Sequence, residues 1–264
     1  MKLRWIVCTT ILTLLTNPVV AEEVYTFGVV PQTTASRTAK DWTPIIKYLE
    51  ERTGKKFRLA TTRSITLFSQ RVADAKYDFV YMSPPDYVKY QGEDRYKAIA
   101  RARNLKLKGI IVVRKDSPIE KLDELDNKEL AVPVSAFTAD TLARAALHEH
   151  HITATISPMA AHDAVYRAVA QGRYSAGGGM LRTFNNTAPE FREQLRILWT
   201  SEGFTPPAFA AHARVPKDIV QSVQEALIDM DQDPIAKKYL KIIAPEGLDY
   251  ARDADWDDTR KLDI

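Results

Sequence analysis

The sequence contains only one cysteine, Cys8, and it lies close to the start of the chain. A single cysteine excludes a disulfide framework and a cysteine-based metal site. Cys8 stands inside an N-terminal apolar stretch, so the remainder of the chain has no cysteine nucleophile either. Folds stabilised by disulfides and enzymes with a cysteine nucleophile are therefore excluded.

The chain also has little excess charge. Lys and Arg number 37 against 34 Asp and Glu, which gives a formal net charge of +3. A balance this close to neutral gives no reason to expect a nucleic-acid partner. Beyond the N-terminal stretch, no segment is apolar over the roughly 20 residues that a membrane-spanning helix needs.

Sequence signatures of common enzymes and metal sites are missing as well. There is no Gly-x-Ser-x-Gly turn, no phosphate-binding Walker loop and no dinucleotide-binding glycine pattern. His148, His150 and His151 form a cluster at a predicted helix end, but they lack the zinc-protease spacing of two histidines four apart. We therefore predict neither a metal site nor a cofactor.

The first 21 residues have the organisation of a secretory signal. Lys2 and Arg4 precede an apolar stretch at residues 5–15 that is too short to span a bilayer, and Ala21 offers a small residue for cleavage. We predict a signal peptide over residues 1–21 and a periplasmic location. A short N-terminal membrane anchor is the alternative.

Strand-like and helix-like segments alternate along the remaining chain, which predicts an α/β fold. Trp42, Ile45, Ile46 and Leu49 recur at helical spacing, in a helix whose first turn is predicted to contain Pro44. The principal predicted strands are residues 24–30, 57–61, 78–82, 108–114, 130–134 and 195–199.

Two of the later strands are candidates for crossings between two lobes. The first is residues 108–114, and the second is residues 209–213. Two crossings predict one lobe built from both ends of the chain and a second lobe built from its middle. The predicted boundaries are 22–108 and 205–264 for the first lobe and 109–204 for the second.

Polar side chains follow two predicted strands, at the position where open α/β sheets bind ligands. Thr33 and Thr34 follow the first strand, and Tyr81 and Ser83 lie at the end of the strand at 78–82. The Ser-Pro-Pro-Asp sequence at 83–86 predicts a sharp stop there. We expect these four hydroxyls to contact a ligand. Locally bonded turn threonines and a half-buried tyrosine are the alternatives.

A turn with the sequence Ser-Ala-Phe-Thr at 135–138 precedes an alanine-rich helix predicted over 138–149. Free N–H groups at a helix start, together with the hydroxyls of Ser135 and Thr138, favour an anion. Ordinary helix capping by either hydroxyl explains the same residues, and Asp140 in the first turn supports capping.

A second predicted helix, starting at His162, leads into a short strand predicted to end in the glycines of residues 177–179. Glycines after a strand predict bare N–H groups close to a ligand, here at Gly177 and Gly178. His162 and Arg182 are candidate donors to an oxyanion. A helix-capping or surface histidine and a solvated arginine are the alternatives.

Four stretches, in this order, resemble the periplasmic substrate-binding proteins of phosphate, phosphite and phosphonate ABC transporters. They are Tyr-Leu-Glu-Glu-Arg-Thr-Gly at 48–54, Tyr-Asp-Phe-Val-Tyr-Met-Ser-Pro-Pro at 77–85, the helix at 162–172 that begins His-Asp-Ala-Val, and Ile-Leu-Trp-Thr-Ser at 197–201 followed by Pro206 and Pro207. The resemblance covers nearly all of the chain after residue 21. It implies the type II periplasmic-binding-protein fold, with two α/β lobes and a ligand cleft between them.

The resemblance also implies a function without catalysis. A small oxyanion, phosphate-like or phosphonate-like, would be captured by cleft closure and delivered to an ABC permease. One departure is the turn at 135–138, where the family has a Ser-Thr-Ser-Gly-like sequence. We expect a monomer. The alternatives are a sensory binding protein that signals to a membrane kinase or cyclase, and a secreted enzyme that uses His162.

Overall fold

The computed structural model describes residues 23–134 and 136–262. The predicted signal peptide, residues 1–21, and Ser135 therefore lie outside the described residues. Within the described part, the chain forms two β-sheets with helices packed on them, which confirms the α/β class. No helix in that part is both long and apolar enough to cross a lipid bilayer.

Strands and helices alternate through most of the chain. The N-terminal part contains β1 (Val24–Val29), α1 (Ala35–Thr53), β2 (Lys56–Ala60), α2 (Ile65–Ala73), β3 (Phe79–Met82), α3 (Pro84–Tyr90) and β4 (Tyr96–Ala102). The middle part contains β5 (Gly109–Arg114), β6 (Glu129–Pro133), α4 (Leu142–Glu149), β7 (Thr155–Met159), α5 (His162–Ala170), β8 (Ala176–Met180), α6 (Leu181–Asn185), α7 (Pro189–Arg192) and β9 (Leu195–Thr200). The C-terminal part contains β10 (Ala208–His212), α8 (Lys217–Asp229), α9 (Lys237–Leu240), β11 (Leu248–Tyr250) and α10 (Asp257–Arg260).

Both ends of the chain contribute to the first sheet, whose strand order is β11-β4-β10-β3-β1-β2. β1 pairs in parallel with β2 and β3, and β10 pairs antiparallel with β3 and β4. Its core is aromatic: the ring of Phe27 lies 6.3 Å from that of Phe79 and 5.9 Å from that of Trp42 on α1. These large buried rings hold α1 against the sheet.

The second sheet is formed by the middle of the chain, in the order β7-β6-β8-β5-β9. Its strand β5 is apolar on both faces. Ile111 and Val113 belong to the hydrophobic cluster that includes the buried side chains of α4. Ile110 and Val112 belong to the cluster that includes the buried side chains of α5. A strand covered on both faces appears in sequence as a continuous apolar run, which explains why this strand was predictable.

The two sheets are connected by residues 103–108 and residues 201–207, which run side by side. Leu107 N donates to Phe204 O at 2.8 Å, and Phe204 N donates to Leu107 O at 2.9 Å. The prediction that residues 108–114 and 209–213 form the crossings is wrong, because β5 and β10 are integral strands of the two sheets. The lobe boundaries given above stay a prediction.

One local prediction is wrong at a proline. α1 begins at Ala35, so Pro44 lies in the helix interior rather than in its first turn. Burial of Trp42 and Ile45 on the same helix outweighs the backbone hydrogen bond that Pro44 cannot make. The predicted stop at residues 83–86 is confirmed, because β3 ends at Met82. Pro84 and Pro85 then form the first turn of α3, where the missing N–H costs nothing.

Candidate functional site

Tyr81 lies where the parallel strands β1 and β3 end at the same edge of the first sheet. The residue is 4 % exposed, and its ring packs 4.8 Å from Trp42 and 4.9 Å from Phe209. Burial raises the pKa of Tyr81 to about 12, and the charge of Arg182 opposes that rise. Tyr81 is therefore a protonated hydroxyl at neutral pH, with a positive charge nearby.

Thr33 and Thr34 lie at the start of α1, directly after β1. Thr34 Oγ1 accepts a hydrogen bond from Arg37 N at 3.3 Å and caps the helix. Thr33 Oγ1 lies 3.2 Å from Thr38 Oγ1. Both hydroxyls make the local bonds that the turn interpretation expects. Their contact with a ligand stays a prediction.

Ser83 is the N-cap of α3, and its hydroxyl is used within the chain. Ser83 Oγ donates to Asp86 Oδ2 at 2.9 Å and accepts from Asp86 N at 3.3 Å. Burial raises the pKa of Asp86, whereas hydrogen bonds from Ser69 and Ser83 lower it. Because a serine hydroxyl has one proton, Ser83 can donate to an oxyanion only after leaving Asp86.

His162 is the first residue of α5, where the N-cap Ala161 offers no side-chain acceptor. Its Nδ1 atom is buried and has no hydrogen-bond partner among the described residues. Burial lowers the pKa of His162 to about 4, so the imidazole is neutral at pH 7. The free N–H groups at the start of α5 therefore lie beside the Nδ1 atom of His162, which makes no hydrogen bond to a described residue.

Tyr166, one helical turn beyond His162, fixes the position of α5. Its hydroxyl accepts a hydrogen bond from Met180 N at 3.1 Å, donates to Met180 O at 3.2 Å and lies 2.8 Å from Thr183 Oγ1. The ring centroids of His162 and Tyr166 are 6.3 Å apart. Tyr166 is fully buried, and no sequence pattern indicates that it joins α5 to the start of α6.

The three glycines lie inside β8, which continues to Met180, so the predicted strand does not end at them. Ligand contacts from Gly177 and Gly178 stay a prediction. β8 has hydrogen-bonded strands on both sides. A Cβ at Gly177 would lie 2.6 Å from Val165, and one at Gly178 would lie 2.1 Å from the Ala139 carbonyl oxygen. Both glycines permit close packing, and these contacts give no support to a ligand bond from their N–H groups.

Arg182, on α6, reaches from the second sheet to the first lobe's C-terminal segment. Arg182 Nη1 donates to Ile242 O at 2.6 Å. The same guanidinium lowers the pKa of Tyr81 against the effect of burial. Arg182 thus contacts the C-terminal segment and acts on Tyr81 through its charge, and no sequence pattern indicates the bond to Ile242.

The turn predicted at 135–138 is described only from Ala136 onward. Residues Phe137–Thr141 form one π-helical turn, and α4 begins at Leu142 rather than near 138. Thr138 is buried, and its carbonyl oxygen would stand 2.4 Å from a Cβ at Gly109. Phe137 packs on Phe204 of a connecting segment, 5.7 Å between ring centroids. Ligand contacts from Ser135 and Thr138 stay predictions.

The histidine cluster near the end of α4 does not form a ligand set. His150 Nδ1 lies 3.1 Å from Asp123 Oδ1, a single exposed contact. Across residues 23–134 and 136–262, no group of three or more His, Cys, Asp or Glu side chains is placed to hold a metal ion. The remaining candidate residues carry hydroxyl, imidazole and guanidinium groups, which are donor types that suit an anion.

Two α/β units joined by two paired connections are the architecture of two-lobed binding proteins. The chain belongs to the family of periplasmic substrate-binding proteins of phosphonate ABC transporters, whose family model matches residues 27–256. The members of this family bind solutes and are not described as enzymes. No curated protein sequence matches the chain.

Solved structures share this fold at low sequence identity. PhnD1 from Prochlorococcus marinus (MIT 9301), in complex with methylphosphonate, is 13 % identical with a TM-score of 0.79, covering 92 % of this chain and 97 % of its own. The binding component of a phosphonate ABC transporter from Pseudomonas aeruginosa is 14 % identical with a TM-score of 0.77, covering 92 % and 86 %. XAC2383 from Xanthomonas citri, bound to chloride, is 15 % identical with a TM-score of 0.75, covering 90 % and 94 %.

We predict that Gly179→Ala destabilises the protein through Tyr166. The new Cβ would lie 2.3 Å from the Tyr166 hydroxyl oxygen, so the ring must move and its backbone bonds weaken. We expect a loss of about 1–3 kcal/mol in urea unfolding. In a double-mutant cycle with Tyr166→Phe, the two costs should be less than additive. Strict additivity would contradict this account.

We predict that His162 makes stability sensitive to acid. The unfolded imidazole protonates below about pH 6.5, whereas the folded one, with its pKa of about 4, does not. Stability from this group is present above pH 6.5 and falls by about 3 kcal/mol as the pH drops to 4. His162→Gln should flatten this part of the urea-unfolding profile, and exposed His148→Gln should not. Equal profiles for His162→Gln and the wild type would refute the assignment.

Proposed function

We propose that the chain binds a small phosphate-like or phosphonate-like oxyanion between its two sheets and delivers it to an ABC permease. The observation that carries this proposal is the bond from Arg182, on α6 of the second unit, to the backbone of Ile242 in the C-terminal segment. The positive charge of Arg182 lowers the pKa of Tyr81, at the carboxyl end of β3, against the effect of burial. A guanidinium and a protonated phenol are both hydrogen-bond donors. Such a pair favours an oxyanion.

His162 supplies the third donor group in this proposal. Because burial lowers its pKa to about 4, the imidazole carries no charge near pH 7. A neutral ring has one N–H donor and one acceptor, so it suits a ligand that retains a proton on one oxygen as well as a bare oxyanion. The free N–H groups at the start of α5 add to the attraction for negative charge.

The Arg182 side chain has capacity for a ligand while it bonds to Ile242. Only its Nη1 has a hydrogen bond to another described residue, and a guanidinium carries five N–H donors. A ligand held by Arg182 and Tyr81 together would add contacts between the lobes. Such contacts favour the closed arrangement, which is the form that a permease would recognise.

The family supports delivery to a permease, and we extend this to the protein's location and state. We propose that the protein acts in the periplasm after removal of residues 1–21, and that it acts as a monomer. The methylphosphonate bound to PhnD1 supports the ligand class through the shared fold.

A thermal-shift screen of the refolded, ligand-free protein tests the proposed function. The panel contains phosphate, phosphite, methylphosphonate, sulfate, acetate and amino acids. A saturating rise in melting temperature for one phosphorus oxyanion is the expected result, because a ligand that binds only the folded state stabilises it. A rise with amino acids or acetate alone would contradict the proposed ligand class.

Arg182→Ala should weaken binding of the oxyanion that this screen identifies. The loss of one charge-assisted contact predicts a dissociation constant about 10- to 100-fold higher by calorimetry, from about 1.5–3 kcal/mol. Arg192→Ala is the matched control, because Arg192 Nη1 also donates to a backbone carbonyl, that of Asn185, but within one lobe. Equal affinities in the wild type and Arg182→Ala would remove Arg182 from the site.

A further inference from the structure

A second group of cationic side chains lies on the first sheet, between β2 and α2. Arg58, Arg71 and Lys76 line a groove with a volume of about 630 Å³, together with Gln70 and Tyr77. We call it the Tyr77 groove. Tyr77 precedes β3, whereas Ser83 follows it, so the groove and the proposed oxyanion site lie toward opposite ends of that strand.

Tyr77 is held rigidly at the base of the groove. A Cβ at Gly28 would lie 2.6 Å from the Tyr77 ring, so the ring lies directly on the β1 backbone. On its other side it stacks on Phe68 of α2, with 5.3 Å between centroids. Because the Tyr77 ring is packed on both of its faces, the position of its hydroxyl is fixed.

The Tyr77 hydroxyl is buried and has no partner at hydrogen-bonding geometry among the described residues. Burial raises the pKa of Tyr77, and the neighbouring Arg71 guanidinium opposes this rise. The hydroxyl is therefore a protonated donor next to a positive charge. A buried donor without an acceptor is costly, and an acceptor entering the groove would remove that cost.

The groove cations also lack the carboxylate partners that many other arginines have. Arg58 Nη2 donates to Thr26 Oγ1 at 3.2 Å, a neutral contact that orients its guanidinium. Within the described part of the chain, Arg58, Arg71 and Lys76 form no ion pair. Asp74 is the one carboxylate among the residues that line the groove, so the overall charge of the groove is positive.

We propose that the Tyr77 groove binds a phosphoryl oxyanion that carries at least two negative charges, at a site separate from the interlobe cleft. Arg58 and Arg71 offer planar N–H pairs to phosphoryl oxygens, Lys76 adds a point charge, and the Tyr77 hydroxyl donates to an oxygen at the base. A free phosphorylated molecule and a phospholipid headgroup share this chemistry.

Fluorine NMR of the full chain, labelled with 3-fluorotyrosine, tests this site directly. Tyr77→Phe assigns the Tyr77 resonance, and inorganic diphosphate is the probe. We expect a saturable shift of that resonance in the wild type, with binding at least about tenfold weaker in Arg58→Ala/Arg71→Ala. Lys40→Ala/Lys47→Ala removes the same charge from the exposed face of α1 and should bind diphosphate as the wild type does.

Co-sedimentation with phosphatidylglycerol vesicles distinguishes the source of the phosphoryl group. A Tyr77 shift with diphosphate indicates a free ligand. Sedimentation with vesicles that is lost in Arg58→Ala/Arg71→Ala indicates a headgroup. Each result supports the proposal. The proposal would be overturned if neither the Tyr77 shift nor the sedimentation is observed. It would also be overturned if the Lys40→Ala/Lys47→Ala control loses binding as much as Arg58→Ala/Arg71→Ala does.

Discussion

The paired hydrogen bonds between Leu107 and Phe204 are the constraint on which the rest of the molecule depends. These bonds join the two segments that connect the sheets, so the two connections form one short paired ribbon. Phe137 packs on Phe204, which ties the start of the α4 region to the same ribbon. Any rearrangement at the connection therefore changes how the two sheets face each other.

In the proposed oxyanion site, the two sheets contribute groups of different charge. The first sheet would contribute an uncharged phenol, Tyr81, which packs against Trp42 and Phe209. The second contributes the guanidinium of Arg182 and the neutral imidazole of His162. Attraction for an anion at neutral pH therefore depends on one full charge and on helix N–H groups rather than on a cluster of cations. This arrangement favours a ligand of low charge that fits the available donors.

The overall fold class was predictable because buried strands appear in the sequence as continuous apolar runs. β5 is indicated by its continuous apolar run, whereas the helix that begins at His162 is indicated by the helical spacing of its apolar residues. Polar side chains at the ends of strands were harder to interpret. Ser83, Thr33 and Thr34 are attractive ligand donors in sequence, yet each makes a bond with a neighbour fewer than six residues away. Local capping competes with ligand binding, and sequence alone does not decide between them.

Long-range contacts could not be predicted from the sequence, for a different reason. The bond from Arg182 to the Ile242 carbonyl joins residues 60 positions apart and involves a backbone acceptor that every residue possesses. The packing of the β8 glycines could not be predicted, because a glycine that admits a ligand and one that admits Val165 look identical in sequence. Their packing role depends on the approach of α5, which only the folded chain shows.

The central claim is that a ligand draws the two sheets together. The distance between two spin labels, measured by electron–electron double resonance, tests this claim most directly. The chain's single cysteine makes labelling simple: spin labels at Lys47→Cys and Glu149→Cys, in a Cys8→Ser background, report on α1 and α4. With the oxyanion that raises the melting temperature, the account predicts a shorter and narrower distance distribution. An unchanged distribution at saturating ligand would contradict it.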